Sequence, residues 1–221
     1  MSNVAGKAYA MNVVTPIVPG RGGWRLKLAH LIFMFSRSQP GKLAGLLGLS
    51  FIHFARWVLI GRDQWPDFGQ PKERLNNDYM LFCSNFNGTW DQYIDAFSDG
   101  LPSGLDLLWY TSTKYPHSIP ITPFKNYIRA NQIDTDYYYN SVPGAAQKDV
   151  KAAMRLRRAI RKLAEKHASM SPEDFAKAYR ATLLEVQNDL RGQGEAPVAS
   201  NDTAAADLNR LPYVKAAWGA V

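Results

Sequence analysis

Residues 79–101 read YMLFCSNFNGTWDQYIDAFSDGL. In the first nine, Met80, Phe82 and Phe86 share one parity, and Leu81 and Cys83 share the other. That is the pattern of a strand with apolar side chains on both faces. Gly88 ends the strand. Thr89 then fits a helix N-cap, and Asp91 lies in the first turn, where a carboxylate meets the positive end of the helix dipole. Trp90, Tyr93, Ile94 and Phe97 make an apolar face at helical spacing, and Gly100 suits the C-terminal stop.

Working outward, FIHFARWVLI (51–60) is a second strand, ended by Gly61. One of its faces carries Phe51, Ala55, Trp57 and Leu59, and the other Ile52, Phe54, Val58 and Ile60. A polar loop, 61–78, joins it to the strand at 79–87. MNVVTPIV (11–18) is an earlier strand, bounded by Pro19-Gly20. Trp24 to Phe35 has helical spacing, and Lys42 to Leu49 makes a second short helix. LDLLWYTST (105–113) is a strand candidate, and 114–146, with four prolines and Tyr137-Tyr138-Tyr139, is expected to be loop. Ala146 to His167 is a long basic helix. Ser171, Pro172 and Asp174 open another, with Ser171 as N-cap. Residues 193–207 are expected to be mobile, and 208–221 form an apolar tail.

The order up to residue 113 is β-α-β-β-α-β, which defines an α+β class with a ferredoxin-like antiparallel sheet. The expected organisation is a ferredoxin-like domain over 8–145, a helical extension over 146–192, and a flexible segment with an apolar tail over 193–221. Because both faces of two strands are apolar, a second layer over the sheet is implied, either a partner sheet or the C-terminal helices.

At 221 residues, with 46% hydrophobic and 20% charged side chains, the chain can bury a sizeable core. Its single cysteine, Cys83, excludes an intramolecular disulfide and any zinc site built from several cysteines. The cysteine usage fits a reducing compartment. The first fifteen residues do not read as a secretory leader, so a cytoplasmic protein is expected, peripheral at a membrane if its basic zones find anionic lipid. Residues 43–60 are eighteen long and mostly apolar, but His53 and Arg56 interrupt them. They read as a short helix and a strand, not a membrane span.

The net charge of +7 is unevenly distributed. Residues 1–62 hold eight basic side chains and no acidic one, whereas 63–147 hold five basic and ten acidic. Between Lys148 and Lys166, eight basic residues face only Asp149 and Glu165. Basic zones attract phosphates of lipid or nucleic acid, and they are also common as solvated helix faces. No nucleic-acid motif accompanies them and the middle of the chain is acidic, which argues against nucleic acid.

The β-α-β-β-α-β order with a two-sided apolar sheet resembles the dimeric α+β barrel superfamily of ferredoxin-like proteins. That group includes small monooxygenases, isomerases, chlorite dismutases and dye-decolorising peroxidases. HFARWVLI and LFCSNFNGTWDQYIDAF are similar to stretches of a bacterial family without an assigned activity. The resemblance spans about residues 8–165, and no catalytic motif of the named enzymes is matched. It implies a homodimer and a ligand held between sheet and helices, with heme among the cofactors to consider.

The residues themselves offer one polar constellation, Ser84 to Asp91, where a strand end turns through glycine into a helix N-terminus. Asn85, Asn87 and Trp90 are candidate ligand contacts there, and Asp91 a candidate catalytic carboxylate; turn and cap chemistry is the competing reading. His53 is a candidate acid/base, heme contact or metal ligand, or else a core histidine with a satisfied hydrogen bond. Arg56, inside an apolar strand, requires a carboxylate, a ligand or a dimer partner if it is buried. His30, His53, His117 and His167 show no metal-ligand spacing, so no metal site is expected. Neither a phosphate-binding glycine loop nor a nucleophile elbow occurs. The leading expectation is a small-molecule enzyme or binding protein, oxidoreductase-like, for a hydrophobic or lipid-like ligand. The alternative is a noncatalytic accessory protein that binds an acidic membrane surface or a partner protein through basic helices.

Overall fold

The computed structural model describes residues 3–38 and 51–190. The short helix expected at 42–49, the mobile segment 193–207 and the apolar tail lie outside them. The chain is α+β, with one antiparallel sheet and six α-helices among the described residues.

Three nine-residue strands form the body of the sheet: β2 (Ala8–Pro16), β3 (Ile52–Ile60) and β4 (Tyr79–Asn87). β4 lies in the middle and pairs antiparallel with both others, Met11 opposite Ser84 and Trp57 opposite Phe82. β2 and β3 therefore run parallel to each other, joined through α1 (Trp24–Ser38). The outer edge of β2 carries two short strands, β1 (Val4–Ala5) and β5 (Gln132–Ile133). Gly6, at φ +61°, closes the β1–β2 turn, and a Cβ there would strike Pro143. The sheet is open and does not close into a barrel.

β4 matches its expected bounds. α2 (Trp90–Gly100) follows through Gly88, whose φ of +92° is a conformation glycine adopts without a Cβ penalty. Thr89 caps α2 reciprocally: its Oγ1 accepts from the Gln92 N–H, and the Gln92 side chain accepts from the Thr89 N–H, each at 3.3 Å. α5 (Gln147–His167) and α6 (Pro172–Glu185) also stand where the sequence puts them. Ser171 caps α6, accepting from the Asp174 N–H. Arg155 donates to both carboxylate oxygens of Asp189 and fastens the turn after α6 onto α5.

Two expectations fail. Residues 105–113 are not a strand: Pro102–Trp109 form helix α3. Its buried side chains, Leu105, Leu108 and Trp109, are spaced three and one apart, a helical pattern inside a run too short to reveal its period. Pro102 stands in the first turn, where its missing N–H costs no helical bond. The region 114–146 is not all loop either. It contains α4 (Ile121–Asn131), which buries Phe124, Tyr127 and Ile128, and then β5. The strand that completes the sheet beside β2 is thus 132–133, two residues long, preceded by three helices rather than one.

One face of the sheet carries the helices. Tyr9, Met11 and Val13 of β2, Met80, Phe82 and Phe86 of β4, and Ala55, Trp57 and Leu59 of β3 point into that layer. The layer is filled by rings. Phe86 stacks on Tyr9 at 5.0 Å and on Tyr93 at 3.9 Å, Tyr93 continues to Phe97 at 5.4 Å, and Phe82 meets Trp109 at 5.1 Å.

Candidate functional site

The predicted site residues separate onto two sides of the sheet. Asn85 and Asn87 alternate with the buried Phe86 and so occupy the face away from the helices. Asn85 donates to the Tyr138 hydroxyl at 2.8 Å, so the tyrosine segment lies against this end of the sheet. Asn87 is buried and both polar atoms of its amide are engaged: Nδ2 donates to the Lys7 carbonyl at 2.6 Å, and Oδ1 accepts from the Gln147 N–H at 2.9 Å. It joins the β1–β2 turn to the start of α5. Lys7 and Asp149 tie the same segments at 3.4 Å, and Asp149 also accepts from the Ala146 N–H.

His53 belongs to this group through a bulge. Ile52 pairs with Phe86 and Phe54 with Asn85, leaving His53 as the extra residue, and such bulges re-aim a side chain. Its ring lies beside Asn87, and its Nε2 is buried without a hydrogen-bond partner. Burial lowers the His53 pKa from its ordinary 6.5, and the hydrogen bond to Asn87 opposes that fall without cancelling it.

The linkage has a definite sign. Below pH 6.5 the unfolded chain takes up a proton that folded His53 resists. The contribution of His53 is thus complete above that pH and is lost as the pH falls through the folded pKa. Urea midpoints at pH 7.5 and 5.5 are expected to differ more in the wild type than in His53→Gln. Equal pH dependence in the two proteins contradicts this assignment.

Asp91 and Trp90 face α4 instead. Asp91 Oδ1 pairs with Lys125 at 3.0 Å and with Arg129 at 2.9 Å, and Lys125 also reaches Asp95 at 2.8 Å. Trp90 is buried, donates from Nε1 to Gln132 at 2.8 Å, and carries the Arg129 guanidinium 4.2 Å from its ring centroid. These contacts join α2 to α4 and β5. His53 and Asp91 share no hydrogen bond, so the structure does not assemble them into an acid/base pair.

Arg56 is exposed on the open face of the sheet, between the exposed Phe54 and Val58. Solvation answers the need for a partner that burial would have imposed. As placed, His53 Nε2 is covered by protein, and no iron-binding role is assigned to it. Among the described residues, no group of three His, Cys, Asp or Glu side chains is arranged to hold a metal ion.

Sequence reasoning missed a second polar signal, inside the layer of rings. Trp57 Nε1 and Trp109 Nε1 are both buried donors with no acceptor. The two indoles meet edge to face at 6.0 Å, with Phe82 against both and Phe33 of α1 beside Trp57. A buried N–H without an acceptor costs about 1–3 kcal/mol. Neither tryptophan had a local motif around it; only their meeting across 52 positions makes the signal.

At the far end of the sheet, a cleft of about 460 Å³ opens between the start of α1 and the turn after β3. Lys27 and His30 line one wall, and Arg62 and Asp63 the other. Arg62 is held by the buried Asp78 at 3.2 Å. Burial alone would raise the Asp78 pKa, but hydrogen bonds from the Arg62 side chain and backbone overcome it and bring the value down.

No protein-family model matches the chain, and neither a curated protein nor a solved structure is reliably similar to it.

Proposed function

We propose that this protein binds a hydrophobic small molecule that carries an oxygen acceptor, such as a fatty acid, between the sheet and its helices at the Trp57–Trp109 corner. The observation that carries this reading is the pair of neighbouring buried indole N–H donors without acceptors. A carboxylate or carbonyl oxygen of a ligand would satisfy them, while Phe33, Phe82 and Tyr115 offer apolar surface to its body. Pockets that hold such ligands are mostly apolar with few placed polar groups. The role is binding; with Asp91 and Asn87 committed to structural bonds, no reaction is assigned.

Oleate is a suitable probe. Its addition is expected to move the indole N–H resonances of Trp57 and Trp109 downfield in a proton–nitrogen spectrum. Trp109→Phe and Trp57→Phe, each losing a bond to a charged acceptor, should weaken binding about tenfold or more. Native mass spectrometry of protein from its own host should show a retained lipid-like mass. Oleate that leaves both indole resonances in place, or binds both variants as it binds the wild type, rejects the corner as the site.

The strand order supports a ferredoxin-like sheet: β5 lies beside β2, β2 beside β4, and β4 beside β3. The exposed Phe54 and Val58 on its open face, with Ile133 near the far edge, support a homodimer built by facing two such sheets. Sedimentation velocity tests this, with Phe54→Asp expected to shift a dimer to monomer.

A further inference from the structure

The inner side of α1 is accounted for. Ala29 is buried, and Ile32 and Phe33 lie against the core. The outer side is not polar, as a solvated helix face would be. Trp24 is 49% exposed, Leu31 55% and Met34 63%. With the exposed Lys27 they follow one another at spacings of three, four and three, so they share one stripe. Over these eleven residues the stripe is about 16 Å long.

Its charges have one sign. Arg21 precedes the helix, Lys27 stands within the stripe and Arg37 lies in the last turn; all three are exposed, and none makes an ion pair among the described residues. No acidic residue occurs on α1 or anywhere in residues 1–62. A second copy of this stripe across a two-fold axis would set cation against cation. The complement is a surface that accepts apolar side chains and offers many negative charges together. The interface of an anionic bilayer has both properties: tryptophan and aliphatic side chains enter at headgroup depth while lysine and arginine reach lipid phosphates.

We propose that α1 docks the protein on anionic membrane surfaces, with Trp24, Leu31 and Met34 entering the interface and Arg21, Lys27 and Arg37 contacting headgroup phosphates. No described helix is long and apolar enough to cross a membrane, so the association is with the surface. This inference is independent of the ligand site and concerns a different face of the molecule.

The test is cosedimentation with vesicles of phosphatidylcholine alone, and of phosphatidylcholine mixed with phosphatidylserine, at low and high salt. Binding is expected only to the mixed vesicles and should weaken with salt. Leu31→Asp combined with Met34→Asp should abolish it; both positions are exposed, and circular dichroism checks the fold. Arg21→Glu combined with Arg37→Glu, which leaves the apolar stripe intact, should weaken partitioning about a hundredfold. Arg158→Glu combined with Arg161→Glu, on the basic face of α5, should leave it unchanged. Equal binding to neutral vesicles, no binding to either kind, or loss through the α5 variant with α1 variants unaffected overturns the proposal; in the second case an acidic protein surface becomes the partner to seek.

Discussion

Phe86→Ala is expected to destabilise the protein by about 3–5 kcal/mol, the cost of emptying a fully buried aromatic position. Phe86 is completely buried and is the ring through which β2 and α2 meet: Tyr9 stacks on it from one neighbour and Tyr93 from the other. Alanine removes the buried area and both ring pairs, each worth about 0.5–1.5 kcal/mol beyond area. Tyr93 cannot collapse into the space, since its hydroxyl is fixed to Ser84 Oγ at 2.9 Å. In a domain of this size each kcal/mol moves Tm by about 2–4 °C, so a fall near 10 °C is expected. Calorimetry of Phe86→Ala beside Phe86→Leu checks it. Leucine keeps most of the volume and should lose less than half as much. A loss below about 1 kcal/mol for alanine would remove this stack from the centre of the fold.

These rings also mark how far local sequence reaches. β4 and α2 were legible because their causes are local: alternation over nine residues, a glycine at the turn, and a threonine whose cap needs only Gln92 three positions on. α3 and α4 were not. Leu105 to Trp109 fits a strand or a helix equally well over so few residues, and what decides is that α3 packs against α1 and α2. In α4, Pro123 falls in the first turn, where helices tolerate it, so a proline that reads as loop is part of a helix.

The candidate site shows the same division. That Asn85, Asn87, Trp90 and Asp91 gather where a strand turns through glycine into a helix was visible in the sequence. What each does depends on residues far along the chain. Asp91 is claimed by Arg129, 38 positions later, and Trp90 by Gln132, 42 positions later. His53 shares a parity with Ala55, Trp57 and Leu59 in the sequence, and only the bulge brings it beside Asn87. The exposure of Arg56 was hidden for a related reason: strand 52–60 alternates apolar residues on both faces, and only one of those faces is covered by helices.

Asn87→Ala is the second large effect, expected at about 2–4 kcal/mol, because it leaves two backbone groups without partners at about 1–3 kcal/mol each. The Lys7 carbonyl loses its donor and the Gln147 N–H its acceptor, and these lie 80 and 60 positions away from Asn87. The Lys7–Asp149 pair ties the same segments, so the loss is felt first at the start of α5. Amide exchange at Gln147 and over the first turn of α5 should quicken before the rest of the domain responds. Asn87→Asp separates the two bonds. Its carboxylate still accepts from Gln147, but it sets an oxygen against the Lys7 carbonyl where a donor had stood at 2.6 Å. It also places a negative charge beside His53, which favours the imidazolium and opposes the effect of burial. The aspartate variant should therefore be less stable than the wild type at pH 7.5 and recover part of that loss as the pH falls toward 5.5, while the alanine variant does not. If both variants unfold at the wild-type urea midpoint, Asn87 does not join these segments, and its amide is free to meet a ligand.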